Sequence, residues 1–169
     1  HNGQIKKSET VEINIPAGVE DGMQLKVSGK GNAAPFDGIN GDMLVLIAVD
    51  EHDKFIRDGQ NIHCEEFISI SEAVLGTSKE IETIGGKVRI KIDSGVQSGK
   101  ILRLKGKGLP SVNNYGNGDL LVHLNIWTPK KLSKDQIKFF EKNLKDKNFS
   151  PAPKKNEKNF FEKLKDVFS

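Results

Sequence analysis

Apolar and polar residues alternate along much of the chain with a period of two, the pattern of half-buried β-strands. Val11, Ile13 and Ile15 are separated by polar residues. The spacing predicts a strand over residues 8–15, ended by Pro16, which has no N–H for a ladder bond. Met23, Leu25 and Val27 alternate with Gln24 and Lys26 and predict a second strand across a glycine turn. Residues 32–41 carry Pro35, two glycines and Asn40, and read as a loop. Residues 43–49 form a continuous apolar run, which reads as a strand covered on both faces.

The HDKFIRDG segment over 52–59 turns the chain into a further strand over 62–70. SEAVLG over 71–76 reads as a single helical turn, with Ser71 as the cap and Gly76 as the stop. Strands over 79–83 and 87–92 are joined by the hairpin dipeptide Gly85-Gly86, and two more follow at 101–105 and 120–127.

These strands are not independent. Residues 11–49 align with 88–126 at a constant offset of 77 and without a gap. Fifteen of the 39 aligned positions are identical, where unrelated chains of average composition would give roughly two or three. The shared frame comprises the apolar alternation, a Gly-Val turn at 18–19 and 95–96, the GKG loops at 29–31 and 106–108, and Asn-Gly-Asp at 40–42 and 117–119. Two copies at this period predict a duplicated β module, not a solenoid.

The copies differ in a useful way. After Asp119, Leu120, Val122, Leu124 and Ile126 share one face, with His123 and Asn125 on the other. The matching outward positions of the first copy are Leu46 and Ala48, beside Leu44. The first copy thus carries apolar side chains where the second is polar, and these are expected to be covered by a missing part or to form a binding surface.

Past Pro129 the period changes from two to helical. Ser133 and Gln136 predict a capping box, with Leu132 and Ile137 as the hydrophobic staple. Ile137, Phe140 and Leu144 then fall on one helical face, with Phe139 beside them. A polar, proline-bearing linker over 147–156 precedes a second short amphipathic stretch containing Phe160, Phe161, Leu164, Val167 and Phe168. Patterning leaves two destinations open for these apolar faces: the sheets of the same chain, or a second copy.

Composition narrows the class without deciding it. The 169 residues suit one domain or two small ones, with abundant Gly and a charged surface. No run approaches 18 apolar residues, so no membrane-spanning helix is expected. The chain opens at His1 with no apolar leader, as a fragment, a processed product or a tag remnant would. Cys64 is the single cysteine, so no internal disulfide or cysteine-based zinc site is expected. The net charge of +3 conceals an asymmetry: residues from Lys130 onward hold 12 Lys and 6 acids, which leaves residues 1–129 at −3. The mixed signs of the tail read as a solvated surface.

No catalytic constellation emerges. The segment from Gly95 to Lys100 has three residues between its glycines where a phosphate-binding loop has four, and Ile101 stands where a magnesium-binding hydroxyl is needed. The GKG loops follow strands but do not lead into a helix with the dinucleotide fingerprint, so their glycines read as turn residues. His1, His52, His63 and His123 lack metal-ligand spacing. Asp42 and Asp119 recur at equivalent places, as structural carboxylates accepting backbone N–H bonds would. A basic face interleaved with aromatics, needed for RNA, is absent from the pattern.

The ordered set IPAGVEDG (15–22), GKG, NGD, HDKFIRDG, SEAVLG and GNGDLLV (116–122) resembles DnaJ-type co-chaperones, over roughly residues 8–146. The match is to their C-terminal region, which implies a mainly β fold: two tandem similar β-sandwich modules, the first truncated, followed by a C-terminal amphipathic helix. Residues 1–51 are then the remainder of the first, client-binding module, and 52–129 the second module. Residues 130–146 are the dimerisation helix, and 147–169 a linker with a short amphipathic helix. Asn2-Gly3 resembles the end of the family's cysteine-rich zinc module, so zinc is expected upstream and no cofactor within these residues.

The resemblance implies binding without catalysis: unfolded client polypeptides are held and delivered to a DnaK-type ATP-dependent chaperone in the cytoplasm. The partners implied are clients, that chaperone and a second copy of the chain, with no nucleic acid and no membrane. The family's client pocket maps to Val11 and Val45, with Ile13 and Ile47 as same-face neighbours, in preference to the outward Leu44 and Leu46. Its dimerisation contacts map to Leu132, Ile137, Phe140 and Leu144. The His-Pro-Asp tripeptide of the ATPase-stimulating module is absent from these residues. A structural β-module that only mediates oligomerisation is the alternative.

Overall fold

The computed structural model describes residues 7–35, 38–113 and 116–153. The chain divides into two compact units, His1–Thr128 and Pro129–Ser169. The described part of the first is mainly β, and that of the second carries one helix.

In the first unit, β1 (Gln24–Val27) pairs antiparallel with β2 (Met43–Leu46) in a two-stranded sheet. A four-stranded sheet follows, built from β3 (Ile56–Asp58), β4 (Asn61–Ser69), β7 (Ile101–Leu104) and β8 (Leu120–Trp127) in the order β3-β4-β8-β7. Between β4 and β7 come the short helix α1 (Ile70–Leu75) and the hairpin of β5 (Thr77–Thr83) and β6 (Gly86–Ile92). Pairing of β4 with β8 is parallel, from Ile62↔Leu120 to Ser69↔Trp127. A parallel pair cannot be closed by a tight turn, and everything from α1 to β7 serves as the crossover.

Among the described residues the core lies wholly within 62–124, in the second module. Ile62, Ile68, Ile81, Ile92, Leu120, Val122 and Leu124 are buried, and the last three have no exposed surface at all. Their alternation with half-exposed Leu121, His123 and Asn125 along β8 is the expected two-faced strand. In residues 7–51 none of the described residues is buried. The expectation that residues 43–49 are covered on both faces is therefore overturned: Leu44 is 64% and Leu46 66% exposed, while Met43 and Val45 are half-buried.

Three local readings also change. In residues 8–15 the alternation survives only in part, with Val11 and Ile13 half-buried, Glu12 and Asn14 exposed and Ile15 61% exposed, and the segment forms no strand. Their counterpart β6 has β5 as a ladder partner. No described strand pairs with residues 8–15, and a lone extended segment has no ladder to join. The cap of α1 is Ser69, not Ser71: its hydroxyl accepts from the N–H of Glu72, whose carboxylate accepts from the N–H of Ser69. The hairpin turns at Ile84-Gly85, because Thr83 and Gly86 are already paired.

A guanidinium joins the first copy to β3. Arg57 on β3 donates from Nη1 to the Val19 carbonyl at 2.6 Å and from Nη2 to the Gly18 carbonyl at 2.9 Å. Its Nε donates to the Gly59 carbonyl at 2.9 Å. Gly18 packs so close to the Pro110 carbonyl that a Cβ would sit 2.1 Å from its oxygen. The IPAGVEDG and HDKFIRDG segments thus meet in space, the second gripping the turn of the first.

In the second unit α2 (Lys134–Asn143) starts at the predicted capping box, with Ser133 Oγ accepting from Gln136 N–H and Gln136 Oε1 from Ser133 N–H. None of its residues is buried. Phe139 meets Phe140 and Phe149 edge-on, with centroids 5.5 and 6.2 Å apart. The amphipathic stretch expected over 160–168 lies outside the described residues.

Candidate functional site

The GKG and Asn-Gly-Asp loops explain one another. Gly29 and Gly106 adopt φ of 71° and 69°, the left-handed region open to glycine. Gly29 N–H donates to Asp42 Oδ1 at 3.0 Å, and Gly106 N–H to Asp119 Oδ1 at 2.8 Å. Gly31 N–H donates to the Gly41 carbonyl at 2.7 Å, and Gly108 N–H to the Gly118 carbonyl at 2.8 Å. The N–H groups that a phosphate would use already serve the chain's own carboxylates and carbonyls, and the repeated aspartates have the structural role expected of them.

Each aspartate has a cation on its other oxygen. Lys26 lies 2.7 Å from Asp42 Oδ2, and Arg103 Nε donates to Asp119 Oδ2. The Lys26 bond and the Gly29 N–H hold the Asp42 carboxyl below its ordinary range. For Asp119 the Gly106 N–H leads and Arg103 adds to the same lowering. Asp119 is nearly buried, and its own N–H donates to Asn61 Oδ1 at 2.8 Å, tying the loop to β4.

What these loops position is the face of β2. Val45 stands opposite Leu25 and Met43 opposite Val27 in the β1–β2 ladder. Beyond the strand, Ile47 N–H donates to the Met23 carbonyl at 2.8 Å and Gly22 N–H to the Ile47 carbonyl at 2.9 Å. Val45 and Ile47 therefore share a half-buried apolar face, while Leu44 and Leu46 stand out on the other, opposite Lys26 and Gln24. Val11 and Ile13 are also half-buried, on the irregular segment before the turn. No ladder joins that segment to β2.

The repeat supplies an internal reference. At the offset of 77, Val11, Ile13, Val45 and Ile47 correspond to Val88, Ile90, Val122 and Leu124. Ile90, Val122 and Leu124 are buried, and Val88 packs against the core. In the second copy β8 has β7 on one edge and β4 on the other, whereas β2 has only β1 among the described strands. The four residues assigned from the family pattern are core-type positions left half open.

On α2, Ile137 and Phe140 are partly exposed, as is Leu132 ahead of the cap, and Leu144 at the C-cap is 79% exposed. The apolar stripe is present, and none of its residues is buried.

Two features escaped the sequence reading. His63 Nδ1 and His123 Nε2 lie 2.8 Å apart across β4 and β8. A bond between two imidazoles requires at least one neutral ring. They line a groove of about 920 Å³ walled by β3, β4 and the β5–β6 hairpin. Its residues come from four separate segments, 53–58, 63–67, 80–87 and His123, so no single local motif signals it. Cys64 also lines the groove, and burial, aided by the Glu66 carboxylate, pushes its thiol above the ordinary value. Among the described residues no cluster of three His, Cys, Asp or Glu side chains is placed to hold a metal. No helix among them is long and apolar enough to cross a membrane.

Comparison with known proteins gives a consistent picture. Residues 2–129 match the family model described as DnaJ C terminal domain. A protein named Chaperone protein DnaJ from Bacteroides fragilis (strain YCH46) is 47% identical over 160 residues, covering 95% of this chain and 40% of the relative. The protein of that name from Bacteroides thetaiotaomicron is 46% identical over 167 residues, 99% of this chain and 42% of the relative. That from Fusobacterium nucleatum subsp. nucleatum is 45% identical over 165 residues, 95% of this chain and 41% of the relative. The chain thus spans about two-fifths of the length of the curated relatives it matches.

The Asp119 bonds have a testable signature. A carboxyl whose pKa is lowered on folding contributes stability that is complete above the unfolded value of about 3.9 and lost as pH falls through the folded one. Asp119→Asn is expected to reduce stability at neutral pH and to flatten the acid limb of a urea-unfolding profile below about pH 4. Equally steep acid limbs for the two proteins would contradict the assignment.

Proposed function

The chain belongs to the DnaJ C-terminal domain family, and from that premise we propose that it binds extended apolar segments of unfolded polypeptides. Residues 1–51 act as the remainder of a client-binding module, 52–129 as a second β module, 130–146 as a dimerisation helix and 147–169 as a linker and tail. Within a longer cytoplasmic protein, carrying zinc in an upstream cysteine-rich module, the bound clients pass to a DnaK-type chaperone.

One observation carries the client-binding reading. Val45 and Ile47 are half-buried at positions whose counterparts, Val122 and Leu124, are wholly buried. Apolar surface of this kind gains roughly 25 cal/mol per Å² when a ligand removes it from water. The edge of β2 opposite β1 is unpaired among the described residues. It adds main-chain donors and acceptors that recognise an extended segment with little regard to its sequence. Val11, Ile13, Val45 and Ile47 form the proposed contact set.

The dimerisation reading rests on α2. Its N-terminus is capped and its interior short, yet no residue of it is buried. A ten-residue helix gains little stability alone, and pairing the Leu132, Ile137, Phe140 and Leu144 stripe with a second copy supplies the missing burial. A purely structural oligomerisation module accounts for α2 equally well, but it predicts no affinity for apolar peptides.

Two experiments separate these outcomes. In fluorescence anisotropy with a labelled apolar peptide, Val45→Asp is expected to weaken binding by about tenfold or more, roughly 1.4 kcal/mol. Leu46→Asp, on the opposite face of β2, should change it much less. Equal affinity of Val45→Asp and the parent would remove Val45 from the site. In light scattering, a chain ending at Pro129 should have the mass of a monomer where the full chain has that of a dimer. An unchanged oligomeric state would exclude the helix from the interface.

A further inference from the structure

The Asn-Gly-Asp loops carry chemical reactivity besides their hydrogen bonds. Asparagine is a labile side chain, and most labile before glycine, which has no Cβ to obstruct the approach of its own nitrogen. Asn-Gly occurs at 40–41 and 117–118, at equivalent places in the repeat, and at 2–3, outside the described residues. The tripeptide is the same in both loops and the surroundings differ, so each loop serves as a reference for the other.

Both glycine N–H groups are bonded at rest, Gly41 to the Asn32 carbonyl at 3.0 Å and Gly118 to the Leu109 carbonyl at 2.9 Å. What separates them is the cost of opening. A Cβ on Gly118 would lie 2.1 Å from the Gln60 carbonyl oxygen. Next in the chain come Asp119, nearly buried and tied through its N–H to Asn61, and Leu120, with no exposed surface. Asn117 itself is bridged to Pro110. Freeing Gly118 therefore disturbs the buried start of β8. A Cβ on Gly41, by contrast, would meet nothing closer than 3.8 Å. Asn40, Gly41 and Asp42 are exposed, Met43 is half-buried, and no described residue of 7–51 is buried. The Asn40 Oδ1 accepts a long bond from Ala34 N–H, at 3.3 Å. A segment with exposed backbone bonds and few buried contacts opens at low free-energy cost.

We infer that Asn40 is a site of spontaneous deamidation and that the fold protects its twin, Asn117. Once the bond to Asn32 opens and hydroxide removes its proton, the Gly41 nitrogen attacks Cγ of Asn40. A C–N bond forms and closes a five-membered succinimide, and the side-chain nitrogen leaves as ammonia with a proton from water. Water then opens the ring at either carbonyl, giving aspartate or isoaspartate with no change of oxidation state. Isoaspartate lengthens the main chain by one methylene between residues 40 and 41. In its closed form the loop has no slack for it. Gly31 N–H donates to the Gly41 carbonyl at 2.7 Å, and a Cβ on Gly31 would sit 2.5 Å from the Asp42 carbonyl oxygen. The conversion is a slow chemical loosening of the loop that sets where β2 begins. It stands apart from the client-binding reading and touches it only through the position of β2.

Mass spectrometry of proteolytic peptides from the folded chain, aged at mildly alkaline pH, reads both sites. Asn40 should convert at least about fivefold faster than Asn117. In urea, where the fold no longer distinguishes them, the two rates should come within about threefold. Hydrogen exchange over residues 31–47 should quicken in the aged chain. It should not in an aged Asn40→Gln variant, whose longer side chain closes a ring far more slowly. Equal conversion of the two sites in the folded chain, or a bias that persists in urea, overturns the inference. So does conversion of Asn40 that leaves exchange over 31–47 unchanged.

Discussion

Parallel pairing of β4 with β8 decides which copy of the repeat acquires a core. It places Ile62, Cys64 and Ile68 beside Leu120, Val122 and Ile126 along one ladder, and cross-strand neighbours of this kind are the unit of sheet stability. With β7 on its other edge, β8 is enclosed, and Leu120, Val122 and Leu124 lose all contact with water. β2 has the same apolar sequence character but one partner among the described strands, and its Val45 face stays half open. The contrast in burial between two similar sequences thus follows from strand neighbours.

The polar contacts make that contrast durable. Asp42 and Asp119 each close a loop by accepting a glycine N–H while a cation holds the second oxygen. These bonds fix where β2 and β8 begin, and hence which face each residue takes, because a one-residue slip would turn every side chain over. Arg57 then ties the first copy's turn to β3 through the carbonyls of Gly18 and Val19. A guanidinium presents several donors in a rigid fork, so one side chain satisfies three carbonyls.

Much of this was legible in the sequence because it is written locally or twice. The β8 alternation, the capping box at Ser133, and the role of the repeated aspartates all rest on short spacings, and all hold. Residues 8–15 show the limit of such reasoning: they have the right alternation, but a strand needs a neighbour, which a period cannot supply. The reading of residues 43–49 failed for the same reason, since an apolar run does not say how many strands flank it. Ser69 lost to Ser71 only because the capping pair Ser69–Glu72 straddles the end of β4. The Arg57 bridge, the His63–His123 contact and the groove these histidines line join residues from separate elements, and nothing in their local spacing announces them.

The account turns on the claim that the first module exposes for ligands what the second buries. Methyl-detected NMR titration of the chain with an uncharged apolar peptide tests this directly. The account predicts saturable shifts of the Val11, Ile13, Val45 and Ile47 methyl signals, while those of Val122 and Leu124 stay in place. Unmoved signals at the first four residues, in a peptide that binds elsewhere or not at all, would contradict it.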